Sequence, residues 1–368
     1  KNLEPSLSIY RVETMLPHRL CFVVKRGPRN VYGWLKLSVK FRIHTSTKTA
    51  VKRVRCTNAN ASKSALAMTR CYSLHRTQQR QHTSPSSYFI DEQTRTNTID
   101  EIKQQRAEIT QKYPNFMTAL NAYFPGSLLM SEFFFLAHDA TTNLGFTDEN
   151  TIGLAAVCRD GITDGCMDEI IKYYGKPFNC SSLAGFITIG NTGLGAATAH
   201  APIDEKDGKR RFVFVAMPHI AISEDGKVGA CKREGIEQES NACGALDAIV
   251  GELQSGSVRI RLDMDDVEQS LVRQRLLAEL PYGEKPMLNE LTRTAAEIIA
   301  QDVDELLTRN LDVRTFEYVV VTGIQIHGPE DIDWVFPGKM WHVSNHYVGG
   351  RTHLTLTDID SFMAAENK

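Results

Sequence analysis

No stretch of this 368-residue chain approaches 18 consecutive apolar residues, so none reads as a membrane-spanning helix. The longest apolar runs, such as Phe133 to Ala137, suit buried elements instead. Cysteine is sparse, with eight residues, and no two stand in a CxxC pair. That excludes a disulfide-stapled scaffold and disfavours a closed structural zinc. Glycine has no period, and neither an internal repeat nor a heptad pattern is present, which excludes collagen and coiled coil. Acidic residues are nearly missing from the first quarter. Residues 1–90 hold 17 Lys and Arg against two acids, Glu4 and Glu13, a balance of +15. The remainder holds 25 against 42, a balance of −17.

What is present is ordinary globular material. Hydrophobic residues make up 42% and charged residues 23%, enough to build a sizeable core. A basic, acid-poor, Ser/Thr-rich leader before an acidic body is the composition of an organelle transit peptide. An untranslated stretch read as protein would have the same random character. A nucleic-acid-binding arm would need clustered basic residues with aromatics or a known module, and neither occurs. Residues 72–97 are polar and poor in aliphatics, so they read as linker or disordered leader. The expected organisation is a basic leader or disordered segment over 1–96 and one folded domain over 97–368.

Folded structure is expected from about Thr98. Ile99, Ile102, Ile109 and Tyr113 recur at helical spacing. A second helix is expected after Pro125, capped by Ser127, running to Gly145, and apolar nearly all round. Such a helix is buried in the chain or at a subunit interface. Short apolar runs at Thr151 to Val157, Gly185 to Ile189, Phe212 to Met217 and Phe316 to Ile326 read as strands. Helices are expected over Asp164 to Tyr174, Ala196 to His200, Ala242 to Leu253, Asp265 to Leu280 and Pro286 to Leu307. Continuous apolar strands separated by helices point to an α/β fold, with a mostly parallel central sheet flanked by helices.

Three segments carry chemistry: Val157-Cys158-Arg159-Asp160-Gly161, Met217-Pro218-His219-Ile220 and Ser240-Asn241-Ala242-Cys243-Gly244. Two end predicted strands and one begins a helix, and ligands of open α/β sheets collect at the carboxyl ends of strands. Two thiolates and one imidazole fill three positions of a zinc tetrahedron and leave the fourth open, as catalytic sites do. By itself the triple is weak. Cys158 and Cys243 could be small buried hydrophobes, and His219 a satisfied core histidine. A Cys–His hydrolase using Cys158 and His219 would leave Cys243 without a role.

CRDG, then GKPFNCSSLAGFITIGNTGLGAATAHAP, FVFVAMPHIAIS and SNACGAL, in that order, resemble the limiting-CO₂-inducible B/C family of algae, which belongs to or lies beside the β- and θ-class carbonic anhydrases. The helical continuation RIRLDMDDVEQSLVRQRLLAELPYGEKPMLNELTRTAAE is also similar. The resemblance covers roughly residues 97 to 347. It implies a β-carbonic-anhydrase-like fold, Zn²⁺ on Cys158, His219 and Cys243, and CO₂ and bicarbonate as substrates. It also implies an acid of the Cys-x-Asp motif, Asp160, beside the zinc-bound water. In β-class enzymes this acid is held by an Arg two residues on, but position 162 is Ile. Arg233 is the first candidate for that partner and Arg159 the second. Resemblance further implies a homodimer, with the apolar second helix as a suitable face, and an algal carbon-concentrating role in the chloroplast stroma or pyrenoid, with the mitochondrion as alternative. A non-catalytic zinc protein of the same fold, binding bicarbonate or acting as a scaffold, would keep the same ligands.

Other residues are assigned more plainly. His200 could carry a proton, since imidazole titrates near neutrality, or could simply pack its helix. His138 on the apolar helix reads as a core or interface histidine. Gly190, Gly193 and Gly195 fit neither a dinucleotide nor a P-loop pattern and are expected to allow close backbone approach near the site. His342 and His346 are weak ligand candidates. Asp263 or Asp265 is expected to cap the following helix. Deleting residues 1–90 should leave zinc content and melting temperature nearly unchanged, measured by elemental analysis and calorimetry; a large drop in melting temperature would contradict a leader that contributes nothing to the core.

Overall fold

A computed structural model describes residues 92–232, 239–346 and 350–356, together with the backbone of four short strands before them. The chain divides into two units, residues 1–84 and 85–368. In the first, β1 (Ser8–Arg11), β2 (Cys21–Arg26), β3 (Leu37–His44) and β4 (Thr49–Ala50) pair in sequence as an antiparallel ladder. Residues 72–91 of the expected linker lie outside the described residues. Helix begins at Glu92, a few residues before the expected start.

In the second unit, β6 (Thr151–Ala156), β8 (Arg210–Ala216) and β12 (Phe316–His327) lie side by side in parallel, with β8 in the middle. β7 (Phe178–Asn179) adds a parallel pair outside β6, and β9 (His219–Ala221) continues the line of β8 along β12. Helices cover both faces, which is why these strands are apolar on both sides. α1 (Glu92–Lys112), α2 (Pro114–Tyr123), α3 (Met130–Asn143) and α4 (Asp164–Tyr174) supply one core. α5 (Gly190–Ala199), α6 (Gly244–Ser255), α7 (Val267–Glu279) and α8 (Leu288–Asn310) supply the other. An antiparallel edge completes the sheet: β13 (Asp333–Val343) on β12, then β14 (Arg351–Leu354), with β5 (Leu128–Leu129) also on β13.

The α/β fold with a mostly parallel centre is thus the one expected, with local corrections. Residues 186–189 form no strand, because no neighbouring strand offers them a ladder. The chain instead passes through a 3₁₀ turn at Leu183–Gly185, and Gly185, with φ +75°, sits so close to the Met217 carbonyl that a Cβ would come within 2.5 Å of it. Gly190, Gly193 and Gly195 all lie in α5; the expected close approach is absent at Gly190 and Gly195, which have open space beside them, whereas a Cβ on Gly193 would lie 2.7 Å from the Ile189 Cβ. α3 starts at Met130, since Leu128 and Leu129 are taken up as β5. Phe133 to Ala137 are buried by their own chain, so this helix leaves no apolar face for a second subunit. Asp263 accepts from the Asp265 N–H, and the N-cap of α7 is Asp266, without a side-chain bond.

Side-chain alternation shows two breaks that matter for the site. Along β8, Phe212, Phe214 and Ala216 face the α6–α8 core, and Val213, Val215 and Met217 face the α3 core. Past Pro218 the parity changes, and Ile220 and Ile222 face the α3 core. The neighbouring strand makes the same change. Tyr318 and Val320 face the α6–α8 core, yet Ile324 and Ile326 face α3, because the register with β13 slips between Val321 and Gly323. A bulge of this kind re-aims every later side chain. It therefore turns Gln325 and His327 to the face shared by Cys158. Gly323 is required there, since a Cβ would lie 2.9 Å from the Phe336 carbonyl oxygen.

The opposite ends of the strands are closed by buried charge. Glu317 pairs directly with Arg211 across β12 and β8. It accepts from Arg211 Nη2 at 2.9 Å and from the His342 Nε2 side at 3.0 Å, with Lys209 at 3.6 Å. Burial pushes the Glu317 carboxyl up, but His342, Arg211 and Lys209 together outweigh it and hold it down at about 2 against an ordinary 4.5.

Gly323→Ala should lower unfolding free energy by about 1–3 kcal/mol, the usual scale for forcing an extra methyl into packed backbone, as read from the urea midpoint. Glu317 makes a pH-dependent contribution. Its folded value is depressed, so the stabilisation is present above about pH 4.5 and is lost as pH falls toward 2. Denaturation midpoints against pH should therefore fall more steeply below 4.5 for the wild type than for Glu317→Gln, which should be less stable at pH 7 and less acid-dependent.

Candidate metal centre

Three irregular ends of regular elements bring the site together. Cys158 follows β6 by two residues and is held by a single parallel bridge to Ser182. His219 opens β9, opposite Gln325 of β12. Cys243 is the N-cap residue of α6. A short hairpin, β10 (Ala230–Cys231) with β11 (Ser240–Asn241), delivers the chain to it. All three residues are buried, and one donor atom from each lies within 4.8 Å of the other two. The three sequence-predicted ligands, separated by 61 and 24 positions, thus meet at the carboxyl end of the parallel strands.

Electrostatics within the cluster favour anionic sulfur. The Cys158 thiol is pulled far below its ordinary value, chiefly by a hydrogen bond from Cys243, against the upward push of burial, with the His219 ring adding to the pull. Cys243, left holding the proton, is pushed up by Cys158 and by burial, while the backbone N–H groups of Leu246 and Ala245 at the start of α6 pull it back. The Asp160 N–H points at the Cys158 sulfur. A helix N-terminus and peptide donors are the surroundings in which thiolates persist.

His219 is fully buried. Its Nδ1 lies 2.9 Å from Nε2 of His327, whose Nδ1 lies 2.8 Å from Asp333 Oδ1. The other Asp333 oxygen accepts from Gln325 Nε2 at 2.8 Å. Burial pushes the His327 ring below its ordinary value, against the pull of Asp333, so the ring is neutral at neutral pH. With Nδ1 engaged, His219 offers Nε2, which is buried and has no hydrogen-bond partner. A buried imidazole nitrogen without a partner, beside one sulfur favoured as thiolate and a second thiol that hydrogen-bonds to it, is a donor set that fits a borderline-soft divalent cation. It does not fit a nucleophilic Cys158 working alone, since Cys243 is its nearest partner.

Asp160 is half-buried and caps the 3₁₀ turn Gly161–Thr163, accepting from the Ile162 N–H at 3.4 Å. Ile162, which stands where β-class enzymes have arginine, packs against Ala221, Cys231 and Ala242. Arg159 is exposed and bonds Glu268 of α7 at 2.7 Å and the Ser181 carbonyl at 3.2 Å. Arg233 lies outside the described residues. His200 is exposed at the end of α5, next to Ala199 and Ala201, whose carbonyls bond Arg210 at the start of β8. Arg210 opens β8 at the end away from the cluster, and the His200 ring packs on Phe178 of β7. His138 is buried against Tyr173 and Tyr174, as a core histidine. His342 belongs to the Glu317 network.

Gln325, His327 and Asp333 went unnoticed in the sequence. The available signal was two polar residues at alternate positions of an otherwise apolar strand, Gln325-Ile326-His327. Nothing local indicated Asp333, which reaches His327 only through the antiparallel pairing of β13.

Comparison with known proteins bears on the same region. The family model described as limiting CO₂-inducible proteins B/C beta carbonic anhydrases matches residues 127–344. The crystal structure of limiting CO₂-inducible protein LCIB is 31% identical, covers 64% of this chain and 97% of its own, and superposes with a TM-score of 0.53. That of PtLCIB4, a homolog of LCIB, is 24% identical, covers 66% and 99%, and gives a TM-score of 0.54, a likeness of fold. No curated protein matches. The matched segment contains all three cluster residues and every strand that positions them, and the chain belongs to the limiting CO₂-inducible B/C family of carbonic-anhydrase-like proteins.

Proposed function

We propose that this protein is a zinc-dependent carbonic anhydrase that interconverts CO₂ and bicarbonate. The observation that carries the reading is the buried Cys158/His219/Cys243 cluster with its unpartnered His219 Nε2, in a chain of a carbonic-anhydrase-like family. A zinc ion held by these residues would supply a Lewis acid that makes a water nucleophilic near neutral pH.

The chain's own groups divide the remaining work. The peptide donors at Asp160, Ala245 and Leu246 point at the two sulfurs and favour their thiolate forms when a cation binds. The N-terminus of α6 puts the positive end of a 12-residue helix dipole at the centre, which favours anionic bicarbonate as product. Asp160 follows Cys158 by two residues on a turned loop, so its carboxylate can accept a hydrogen bond from the attacking water and aim the water's lone pair at CO₂. Arg233 is the proposed partner that keeps Asp160 ionised, since Arg159 is engaged by Glu268 and Ile162 is apolar. The basic leader fits delivery to an algal chloroplast, stroma or pyrenoid, in a carbon-concentrating role, and a homodimer is the proposed assembly.

Elemental analysis and stopped-flow CO₂ hydration test the reading together. Wild-type protein should carry stoichiometric zinc and hydrate CO₂. Cys158→Ala, His219→Ala and Cys243→Ala should each lose metal and activity together. Asp160→Asn should keep its zinc and lose activity by a factor on the order of 10² or more. Unchanged activity in Asp160→Asn would remove the role given to that carboxylate. Zinc without any hydration activity in the wild type would make this a non-catalytic bicarbonate-binding or scaffold protein.

A further inference from the structure

Behind one of the three ligands, His219, stands a row of polar groups on the sheet that has no part in the chemistry above. His219, Gln325, His327 and Asp333 share one face across three adjacent strands. Gln325 stands opposite His219 in the parallel pairing, and His327 stands opposite Asp333 in the antiparallel pairing. Two parity changes, at Pro218 and at Gly323, are needed to put them there. A buried polar row in a sheet otherwise filled by aliphatic residues costs stability unless every member is bonded.

We infer that Asp333 and His327 are positioning residues that fix the proton of His219 on Nδ1 and so leave its Nε2 lone pair turned to Cys158 and Cys243. The inference rests on the metal reading proposed above, and it follows from counting donors. A carboxylate oxygen only accepts, so the His327 Nδ1–H donates to Asp333 Oδ1 across 2.8 Å. Two ring nitrogens 2.9 Å apart share one hydrogen, and with His327 already donating through Nδ1, its Nε2 is the acceptor of that contact. The nitrogen 2.9 Å away, His219 Nδ1, must then carry the proton and donate it. By the same count His219 Nε2 is bare, the state in which it can ligate. Reversing the row would place an N–H against the sulfurs and end ligation.

Asp333 is fixed at both oxygens, by His327 and by Gln325. It is also seated by a residue on α4. A Cβ on Gly165 would lie 3.1 Å from Asp333 Oδ2, so glycine leaves the carboxylate its place. Oriented donors behind a metal-binding histidine are worth 10–100-fold in metal affinity in general.

The test uses the full chain and two readouts. Zinc affinity is measured by competition with a chromophoric chelator for the wild type, His327→Leu and His327→Gln. Leu fills the volume but accepts nothing. Gln keeps the polarity of the row, with its carbonyl accepting from His219 and its amide donating to Asp333. His327→Leu should bind zinc about 10–100-fold more weakly, and His327→Gln should stay close to wild type. Independently, long-range ¹H–¹⁵N spectra of the metal-free wild type should show His219 protonated on Nδ1 and bare on Nε2. Wild-type affinity in His327→Leu, or a proton on His219 Nε2, overturns the inference. A wild type that binds no zinc overturns the metal reading instead, while the His219 spectrum still decides the row.

Discussion

Two sulfurs and one imidazole nitrogen, on three buried residues, share a space less than 5 Å across at the carboxyl end of a parallel sheet. Left to themselves, those groups are a liability. A buried nitrogen with no partner and two thiols that push each other's protonation apart both cost stability. The surrounding structure is arranged around that cost. Peptide N–H groups approach each sulfur, a helix begins at Cys243, and a bonded row of His327, Asp333 and Gln325 stands behind His219. A cation bound to the three donors would convert the same arrangement from cost to gain, since binding energy released on folding counts toward stability.

The two ends of the sheet handle charge differently. At the amino ends of β8 and β12, Arg211, Lys209, Glu317 and His342 form a closed network in which each charge has a partner already. At the carboxyl ends, the donor atoms converge and one is left open. A satisfied buried network rigidifies, and an unsatisfied one is available to a ligand. This contrast separates two groups of buried histidines that look alike by residue type: His342 is satisfied within the protein, and His219 is not.

Runs such as FVFVAM and FEYVVVTGIQI read correctly as buried parallel strands, because aliphatic residues at every position only suit a sheet covered on both faces. Helices closed by Gly175 and beginning at Cys243 were legible within about two residues. GFITI was misread because a strand needs a neighbour as well as a propensity, and the Met217 carbonyl occupies the space beside Gly185. The antiparallel edge was missed because Trp334 to Val343 carries Pro337, Gly338 and Lys339 in its middle, which breaks the strand pattern.

The sequence by itself determined the donor set. Cys158, His219 and Cys243 stand in three ordered motifs, and soft sulfur with imidazole defines the class of cation whatever the fold does. It also determined the apolar periodicity that makes the sheet parallel and buried. Tertiary structure alone decided that these donors meet, and which nitrogen of His219 faces the sulfurs. That outcome depends on a parity change at Pro218 matched by a bulge at Gly323 on the neighbouring strand, and on a β13 carboxylate reaching His327 across the sheet. Register between strands distant in sequence is set by packing of whole faces. No local pattern encodes it, because slipping one residue changes every contact while leaving every propensity as it was.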